Sequence, residues 1–291
     1  MNNCYVPGYF GMGDNIYLRP VIRQLLTQYD NVYLRTPWPK LFVDLPNIFP
    51  VKPKTNLRTQ SKNIDHSRGG WHDVPHGTVE INPRYSIGSF KQGMNVIQAF
   101  ERTVPIDDFK FDLPVIERKI KYKYAVIRPA TIRMEWQCPA RNCKPEYIQA
   151  CVDILKEQGI ATIGIADLEE DKEWLEGAFN VDQFYYDGMF SPKYIASLMK
   201  GAEVVVSPVG FALPMGIALN VPTFIIYGGF VPPRALVDPR MDLSKYGYAS
   251  PDPFCECYNR SHKSCQKAIP NIEQTFTTFL SGVQNQKTSH V

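Results

Sequence analysis

The stretch GYFGMGDNIYLRP, residues 8–20, combines residue types that suit phosphate binding with one that suits proton transfer. Its glycines allow a tight turn that leaves room for a ligand. A dinucleotide-binding loop needs a third glycine at a set spacing beyond G-x-G, and this stretch lacks it. We therefore predict that Asp14 is a general base for a bound hydroxyl, with Gly11, Gly13 and Asn15 beside the substrate. The alternative for Asp14 is a capping role at the start of the helix that follows.

A second candidate site is the run SPVGFALP, which follows the apolar strand EVVV. Free backbone N–H groups at the start of a helix attract anions, and the helix dipole adds to the attraction. This pattern predicts a diphosphate site that needs no metal ion. The alternative is ordinary packing of a strand against a helix. The residues predicted to form the site are Pro208, Val209, Gly210, Phe211 and Ala212.

Three arginines, Arg128, Arg133 and Arg141, follow the apolar strand YAVI and form a third candidate group. A guanidinium matches the geometry of a phosphate through paired hydrogen bonds. We therefore predict that at least one of them binds the same anion, while the others belong to an ordinary polar loop. Asp167, at the end of the predicted strand IATIGIAD, is included in this group of binding residues.

Four residues near the C-terminal end, Cys255, Cys257, His262 and Cys265, lie within eleven positions and have the chemistry of metal ligands. Three thiols and an imidazole would close a tetrahedral zinc site. However, the spacing C-x-C-x4-H-x2-C is not a standard one, and free thiols or a redox-sensitive pair are the alternative. We therefore predict no metal, and we keep these four residues as the candidate ligands.

The charge is unevenly distributed along the chain. Residues 1–146 carry a net charge of +8 and residues 147–291 a net charge of −5. This asymmetry predicts that the first half meets an anionic partner, with a solvated basic face as the alternative. The segment 51–70 contributes to the bias. The side chains in and beside it that suit phosphates and bases are Arg58, Lys62, His66 and Trp71.

The candidate site residues lie in a sequence that alternates between strand and helix patterns. Two such series, with a break near residues 114–122, predict two doubly wound α/β domains that face a cleft. Ligands of such sheets bind at the carboxyl ends of the strands. Residues 53–76 lack periodicity and predict a long loop, while EEDKEWLEGAF (169–179) predicts a helix. The predicted divisions of the chain are 1–118, 119–270, and a C-terminal helix and tail, 271–291.

The composition is that of a globular protein, with 44% apolar and 21% charged residues. No run of 18 apolar residues occurs, so we expect no spanning helix, and the N-terminus lacks the pattern of a signal peptide. Seven cysteines, an odd number, do not suggest a disulfide framework. We therefore expect a cytoplasmic protein, in the host cytoplasm if a phage encodes it.

Three stretches in this order together resemble glycosyltransferase family 9, the heptosyltransferase-like enzymes: GMGDNIYLRPVIRQLLTQY, DGMFSPKYIASLMKGAEVVVSPVGFALPMGIALNVPTFIIYGG and CECYNRSHKSC. The resemblance implies a GT-B fold and inverting, metal-independent transfer from a nucleotide-diphosphate sugar. It implies that Asp14 is the base, that 209–212 bind the diphosphate, and that Arg133 or Arg141 neutralises the leaving group. This chain has PVGFALP where the family usually shows D-S-G-P-M-H, so Pro214 replaces the histidine and the donor stays open.

The predicted function is therefore a glycosyltransferase with an acceptor-binding domain (1–118) and a donor-binding domain (119–270). The donor is a nucleotide sugar, and no cofactor is required. The anionic acceptor is a bacterial surface glycan or a hydroxymethylated pyrimidine in phage DNA. The alternatives are a non-catalytic nucleotide- or glycan-binding protein and a nucleotide-sugar epimerase.

Overall fold

The computed structural model describes residues 2–67, 70–114, 120–262 and 264–288, and it divides the chain into two compact units. The N-terminal unit comprises Met1–Ile116 with two short later segments, Ser191–Lys193 and Arg234–Met241. The C-terminal unit comprises Glu117–Phe190, Tyr194–Pro233 and Asp242–Val291. The predicted boundary at residue 118 lies outside the described residues.

The N-terminal unit is built on a parallel sheet with the strand order β3-β2-β1-β4. Its strands are β1 (Asn3–Val6), β2 (Asn31–Arg35), β3 (Ile48–Val51) and β4 (Val79–Glu80). Its helices are α1 (Met12–Leu25), α2 (Arg58–His66), α3 (Ile87–Lys91) and α4 (Val96–Glu101). The first strand lies inside the sheet, so the loop that follows it emerges among the ends of its neighbours.

Helix α1 is buried around most of its circumference, and Ile16, Val21 and Leu25 are fully buried. The helix begins at Met12 and runs through Pro20. Proline lacks an N–H and normally weakens a helix at this position. The burial of the helix outweighs that loss here, because packing contributes more to helix stability than local propensity does.

The prediction of a long loop over 53–76 is wrong in its middle, where α2 lies. Gln60 and Ile64 are four residues apart and are buried on one side of the helix, a spacing masked by the polar residues around them. The segment FKQGMNVIQAFER contains the end of α3 and the whole of α4. Gly93 has a φ of +80° between them, and Asn95 begins α4 with a capping box to Gln98.

The C-terminal unit is built on a six-stranded parallel sheet with the order β12-β11-β10-β5-β7-β9. Its strands are β5 (Tyr124–Ile127), β7 (Ala161–Ile165), β9 (Gln183–Tyr185), β10 (Val204–Pro208), β11 (Thr223–Ile226) and β12 (Tyr246–Ala249), with an antiparallel pair β6 (Thr131–Arg133) and β8 (Glu173–Leu175). The remaining helices of the chain are α5 (Pro145–Glu157), α6 (Pro192–Lys200), α7 (Ala212–Ala218), α8 (Pro233–Leu236) and α9 (Ile272–Thr288).

The helix predicted over 169–179 is wrong, because this segment contains β8. The side chain of Glu173 is fully buried there and accepts hydrogen bonds from Thr131 and Arg133 on β6. Charged residues such as those around Glu173 favour a helix in isolation. The buried ion pair, which sequence spacing does not reveal, holds the segment in an extended form instead.

The core of the C-terminal unit lies between the sheet and two helices, α5 and α9. Phe224 of the sheet contacts Phe276 and Phe279 of α9, with ring centroids 5.0 and 5.3 Å away. The predicted C-terminal helix therefore packs on this unit. The predicted fold class, α/β with two Rossmann-like sheets, is confirmed. None of the helices in the described parts of the chain combines the length and the apolar character needed to cross a membrane.

Candidate functional site

In the N-terminal unit, Asp14 lies in the first turn of α1, just after the loop that leaves β1. The helix begins at an N-cap position occupied by Gly11, so Asp14 is not the cap residue. Its carboxylate accepts a hydrogen bond of 2.6 Å from the hydroxyl of Tyr85. A Cβ atom on Gly11 would lie 2.2 Å from Oδ2 of Asp14. The predicted glycine therefore makes room for the carboxylate itself.

Tyr85 is held by an aromatic cluster. Its ring stacks on Tyr9 and Phe90, with centroids 5.5 and 5.4 Å away. Arg84 lies over the ring of Tyr9 at 5.0 Å and donates a hydrogen bond of 3.1 Å to the carbonyl of Gly8. Burial raises the pKa of Tyr9 to about 12, so its hydroxyl stays neutral. Asp14 therefore lies near an aromatic surface with an exposed cation beside it.

The sequence prediction missed Tyr85 and Arg84. They follow β4, which pairs with β1 and so brings its downstream residues beside the loop that contains Gly11. A two-residue strand that pairs with residues 75 positions away leaves little trace in local periodicity. The stretch NPRYS, rich in turn-forming residues just after a strand, was the one available signal.

Asn15, predicted to contact substrate, is fully buried. Its amide nitrogen donates hydrogen bonds to the carbonyls of Tyr9 and Gly11, and its oxygen accepts one from Thr36. In this structure the side chain supports the loop before α1. Gly13, the other predicted contact, is partly exposed in the first turn of the helix.

The other predicted acceptor residues lie on or just after α2 in the N-terminal unit. Arg58 and His66 occupy opposite ends of α2, about 12 Å apart along its axis. Lys62 lies between them and is partly exposed, and Trp71 follows the helix and is partly buried. His66 lines a pocket of about 490 Å³ together with Phe42 and Pro50. Because Arg58, Lys62 and His66 are four residues apart, they share one face of α2.

In the C-terminal unit, Arg128 directly follows β5, and its backbone N–H donates to the carbonyl of Val206 on β10. Its guanidinium lies 5.3 Å from the ring centroid of Phe211. Burial lowers the pKa of Arg128 to about 10; Glu173 acts against that change, and the nearby cations Arg133 and Arg141 add to it. The predicted arginines therefore do come together at the carboxyl ends of β5 and β10.

The three arginines are not equivalent. Arg133 donates a 2.8 Å hydrogen bond to the buried carboxylate of Glu173, so its charge is balanced within the protein. Arg141 lies beside the loop after β10, because a Cβ atom on Gly210 would be 3.7 Å from its Nη2 atom. Its guanidinium also lies 5.1 Å from the ring centroid of Trp136. Arg128 and Arg141 are thus the two that reach the predicted diphosphate loop.

The loop itself has the predicted strand–turn–helix form. Pro208 ends β10, Val209 and Gly210 form the turn, and Phe211 is the N-cap of α7, which begins at Ala212. Helix α7 has seven residues and is buried throughout, so it is short for a strong dipole. The adjacent guanidinium groups therefore supply most of the positive charge of this loop.

Asp167 follows β7 on the same side of the sheet. It forms an isolated antiparallel bridge with Asp187. A Cβ atom on Gly188, whose φ is +69°, would lie 2.2 Å from Oδ1 of Asp167. Asp167 is close enough to raise the pKa of Arg128, against the larger lowering by burial. The structure therefore places the predicted Asp167 beside the arginine group.

The four candidate metal ligands also come together in the C-terminal unit. Cys255, Cys257, His262 and Cys265 each offer one ligand atom, and these four atoms lie within 4.8 Å of one another. All three thiols are free in this structure. The cluster packs on the segment after β11, because a Cβ atom on Gly229 would lie 2.8 Å from the sulfur of Cys265.

Comparisons with known proteins identify the fold. No protein-family model matches the chain, and no curated protein matches its sequence. Solved structures do match. The iron-containing dodecameric glycosyltransferase TibC from enterotoxigenic E. coli H10407 has a TM-score of 0.66 and 14% identity, covering 99% of this chain and 76% of that one. E. coli ADP-heptose lps heptosyltransferase II has a TM-score of 0.61 and 14% identity, covering 99% and 100%.

A family 9 glycosyltransferase from Veillonella parvula DSM 2008 is also similar, with a TM-score of 0.57 and 13% identity over 96% of this chain and 97% of that one. These alignments span nearly the whole of this chain, so the likeness extends over both units. At such low identity the likeness is one of fold. The predicted resemblance to the heptosyltransferase-like enzymes is confirmed at that level: the chain has the GT-B glycosyltransferase fold.

Proposed function

We propose that this chain is an inverting, metal-independent glycosyltransferase that moves a sugar from a nucleotide-diphosphate sugar to a hydroxyl of an anionic acceptor. The observation that carries the proposal is the convergence of Arg128 and Arg141 on the Gly210–Phe211 loop in a GT-B fold. Two guanidinium groups at the carboxyl end of a parallel sheet suit a diphosphate. The fold alone is compatible with many ligands, and the two arginine side chains favour a diphosphate.

The role of the C-terminal unit is to hold the donor and to stabilise the leaving diphosphate. Negative charge builds up on the diphosphate as the bond to the sugar breaks, and fixed cations lower the energy of that state. Arg133 takes no part, because Glu173 already balances its charge. Two structural neighbours bind related molecules: TibC was solved with ADP-D-β-D-heptose and E. coli WaaC with ADP. For this chain the sugar and the nucleotide base stay open.

The role of the N-terminal unit is to bind the acceptor and to supply the base. Asp14 takes the proton of the acceptor hydroxyl, and the oxygen attacks the anomeric carbon on the face opposite the diphosphate. The carbon–oxygen bond to the diphosphate breaks, and its electron pair leaves with the phosphate. The configuration at the anomeric carbon is inverted. Tyr85 orients the carboxylate of Asp14, and Arg84 offers a charge to an anionic acceptor.

The experiment that tests this proposal begins with a panel of nucleotide-diphosphate sugars, each measured by the shift in the melting temperature of the protein. The donor that binds is then offered with candidate acceptors, and the product is followed by mass spectrometry. We expect Asp14→Ala to bind the donor normally and to lose at least 100-fold in transfer rate. Normal turnover in that variant would remove Asp14 from the mechanism.

The same experiment separates the alternatives. A non-catalytic binding protein would bind the donor without turnover in any mixture. An epimerase would convert the free nucleotide sugar with no acceptor present. Nothing in the comparisons supports a nucleic-acid acceptor, and the helix in segment 53–76 replaces the long loop expected to hold it. Salt-sensitive binding of hydroxymethylated duplex DNA, with transfer to it, would nevertheless restore that prediction.

A further inference from the structure

We propose that Cys255, Cys257, His262 and Cys265 bind one tetrahedral divalent metal ion, and that this ion fixes the segment that supports Arg141. The ion is structural, since its four ligands leave no open position for a substrate, so the transfer reaction proposed above still uses no metal ion in its chemistry. This metal site goes beyond the proposed function and does not depend on it. Its expected effect on donor binding does rest on the proposed function.

The distances within the cluster match such a site. In a tetrahedral zinc site with thiolate ligands, neighbouring sulfur atoms lie about 3.8 Å apart. Here the sulfur atoms of Cys257 and Cys265 are 3.5 Å apart. Nδ1 of His262 lies 3.1 Å from the sulfur of Cys265 and 3.6 Å from that of Cys255. All four donor atoms lie within 4.8 Å of one another, so small side-chain adjustments would bring them to one ion.

The remaining nitrogen of His262 supports the assignment. Nε2 lies 2.9 Å from the hydroxyl of Ser264. A histidine that binds a metal through one nitrogen almost always has a hydrogen-bond partner on the other, which fixes the orientation of the ring. Nδ1 faces the thiols and Nε2 faces Ser264, so each nitrogen has a separate role.

The backbone holds the ligands from the side of the sheet. The N–H of Cys257 donates to the carbonyl of Gly229, and the N–H of Gly229 donates in turn to the carbonyl of Ala140. The neighbours of Cys257, Glu256 and Tyr258, both have φ near +50°, a conformation that costs energy for residues other than glycine. Four metal bonds would repay this cost.

The cluster is linked to Arg141 in two ways. Ala140, which accepts the hydrogen bond from Gly229, directly precedes Arg141 in the chain. Arg260 lies between Cys257 and His262 and places its guanidinium 4.9 Å from the ring centroid of Trp136. Arg141 contacts the same ring at 5.1 Å. The ligand segment thus borders the turn and the aromatic ring that position Arg141.

The first test is the metal content of the purified full chain, measured by elemental analysis for zinc and iron together. We expect one ion per chain, and we expect the metal-free protein to recover one equivalent from added Zn²⁺. Substitution with Co²⁺ should give thiolate-to-cobalt charge-transfer absorption with tetrahedral d–d bands. Absence of metal after reconstitution, or recovery of a disulfide among these cysteines under reducing conditions, would overturn the proposal.

Variants assign the ligands. Cys257→Ser and Cys265→Ser should each lose the bound ion, whereas the matched control Cys138→Ser should keep one equivalent, because Cys138 lies outside the ligand set. Ser264→Ala should weaken metal affinity by roughly tenfold, because it removes the hydrogen-bond partner of His262 while all four ligands remain. If a ligand variant fails to fold, the cobalt spectrum of the unaltered chain still decides the question.

A second readout separates the metal site from the proposed function. Removing the metal with a chelator should weaken donor affinity roughly tenfold or more, because a small displacement of Arg141 misplaces its contact with the diphosphate. Donor binding unchanged by metal removal would overturn the link to Arg141 and leave the metal site standing. A chain that binds metal but no nucleotide sugar would overturn the proposed function alone.

Discussion

Arg19 in the N-terminal unit and Arg128 in the C-terminal unit both lie inside the protein, but the hydrogen bonds and the charges around them differ. Arg19 is fully buried, and its guanidinium donates to the carboxylates of Asp44 and Asp112 and to the carbonyls of Leu41 and Asp112. Arg128 lies near two cations, Arg133 and Arg141, as well as near Glu173 and Asp167. In the part of the chain that the structure describes, its guanidinium donates a long hydrogen bond of 3.4 Å to the carbonyl of Pro129.

This difference separates a residue that holds the fold from one that is available to a ligand. A buried charge is tolerated when its hydrogen bonds and its counterions are supplied by the protein, as for Arg19. A cation kept near other cations raises the energy of the empty protein, and an anionic ligand relieves that cost. The position of an arginine in a helix or after a strand does not reveal whether it holds the fold or binds a ligand.

The largest effect that this contrast predicts is on stability. Arg19→Met leaves Asp44 and Asp112 without their buried partner, so we expect a loss of about 3–5 kcal/mol in the free energy of unfolding. Urea unfolding followed by fluorescence would measure it. Arg23→Met is the control, since Arg23 contacts the same carboxylates from a more exposed position and should cost about 1 kcal/mol. Equal losses of unfolding free energy in the two variants would contradict the structural role assigned to the buried Arg19.

The converse prediction concerns Arg128. Arg128→Met removes one of several like charges, so we expect the free energy of unfolding to change by less than about 1 kcal/mol. Transfer from the nucleotide sugar should fall about 100-fold, because a cation at the leaving diphosphate is lost.

The control for this variant is Arg128→Lys, which keeps the charge but not the paired hydrogen bonds and should recover part of the rate. If Arg128→Met were strongly destabilised but kept normal activity per folded molecule, Arg128 would have a structural role like that of Arg19.

The sequence was sufficient for the parts of the fold that depend on apolar periodicity. Strand β10 and the turn at Gly210 follow from an apolar run and from the positions of glycine and proline. The grouping of Arg128 with Arg141 also followed, because both come after strands whose ends meet at one edge of the sheet. Local patterns of this kind do not require knowledge of which distant segments pair.

The parts that were missed depend on distant pairings. Glu173 turns a helix-like segment into a strand through its ion pair with Arg133, and Tyr85 reaches Asp14 because β4 pairs with β1. Arg19 looks like an exposed helix residue until its distant partner, Asp112, is known. In each case the deciding interaction joins residues at least 40 positions apart. A single sequence does not show which distant residues are in contact.

The third prediction uses acid to test the Arg19 network. Burial alone would raise the pKa of Asp112, but the hydrogen bonds from Arg23 and Arg19 outweigh it and lower that pKa to about 2. The unfolded chain has a pKa near 3.9 for this group. The stability contributed is therefore present above about pH 4 and is lost as the pH falls toward 2, by roughly 2 kcal/mol after allowing for partial exposure.

Unfolding measured across this pH range would show the loss, and Asp112→Asn should flatten it while lowering stability at neutral pH. The matched control is Asp153→Asn on the surface of α5, which should leave the pH dependence unchanged. A pH dependence that persists in Asp112→Asn would assign the titration to other carboxylates, such as Asp44, whose pKa is also lowered by Arg19 against the effect of burial.

The smallest predicted effect concerns Asp14, whose carboxylate accepts a hydrogen bond of 2.6 Å from the hydroxyl of Tyr85. Tyr85→Phe removes that hydrogen bond and keeps the ring in its stack, so Asp14 loses its orientation but not its surroundings. We expect kcat to fall about tenfold, or roughly 1.4 kcal/mol, with the KM for the donor unchanged. Tyr9→Phe is the comparison, because the Tyr9 hydroxyl donates to the carbonyl of Pro83 and accepts from the backbone N–H of Tyr85, so its loss leaves the hydrogen bond from Tyr85 to Asp14 in place and should lower kcat by less. A rise in KM with unchanged kcat in Tyr85→Phe would place Tyr85 in substrate binding and not in positioning the base.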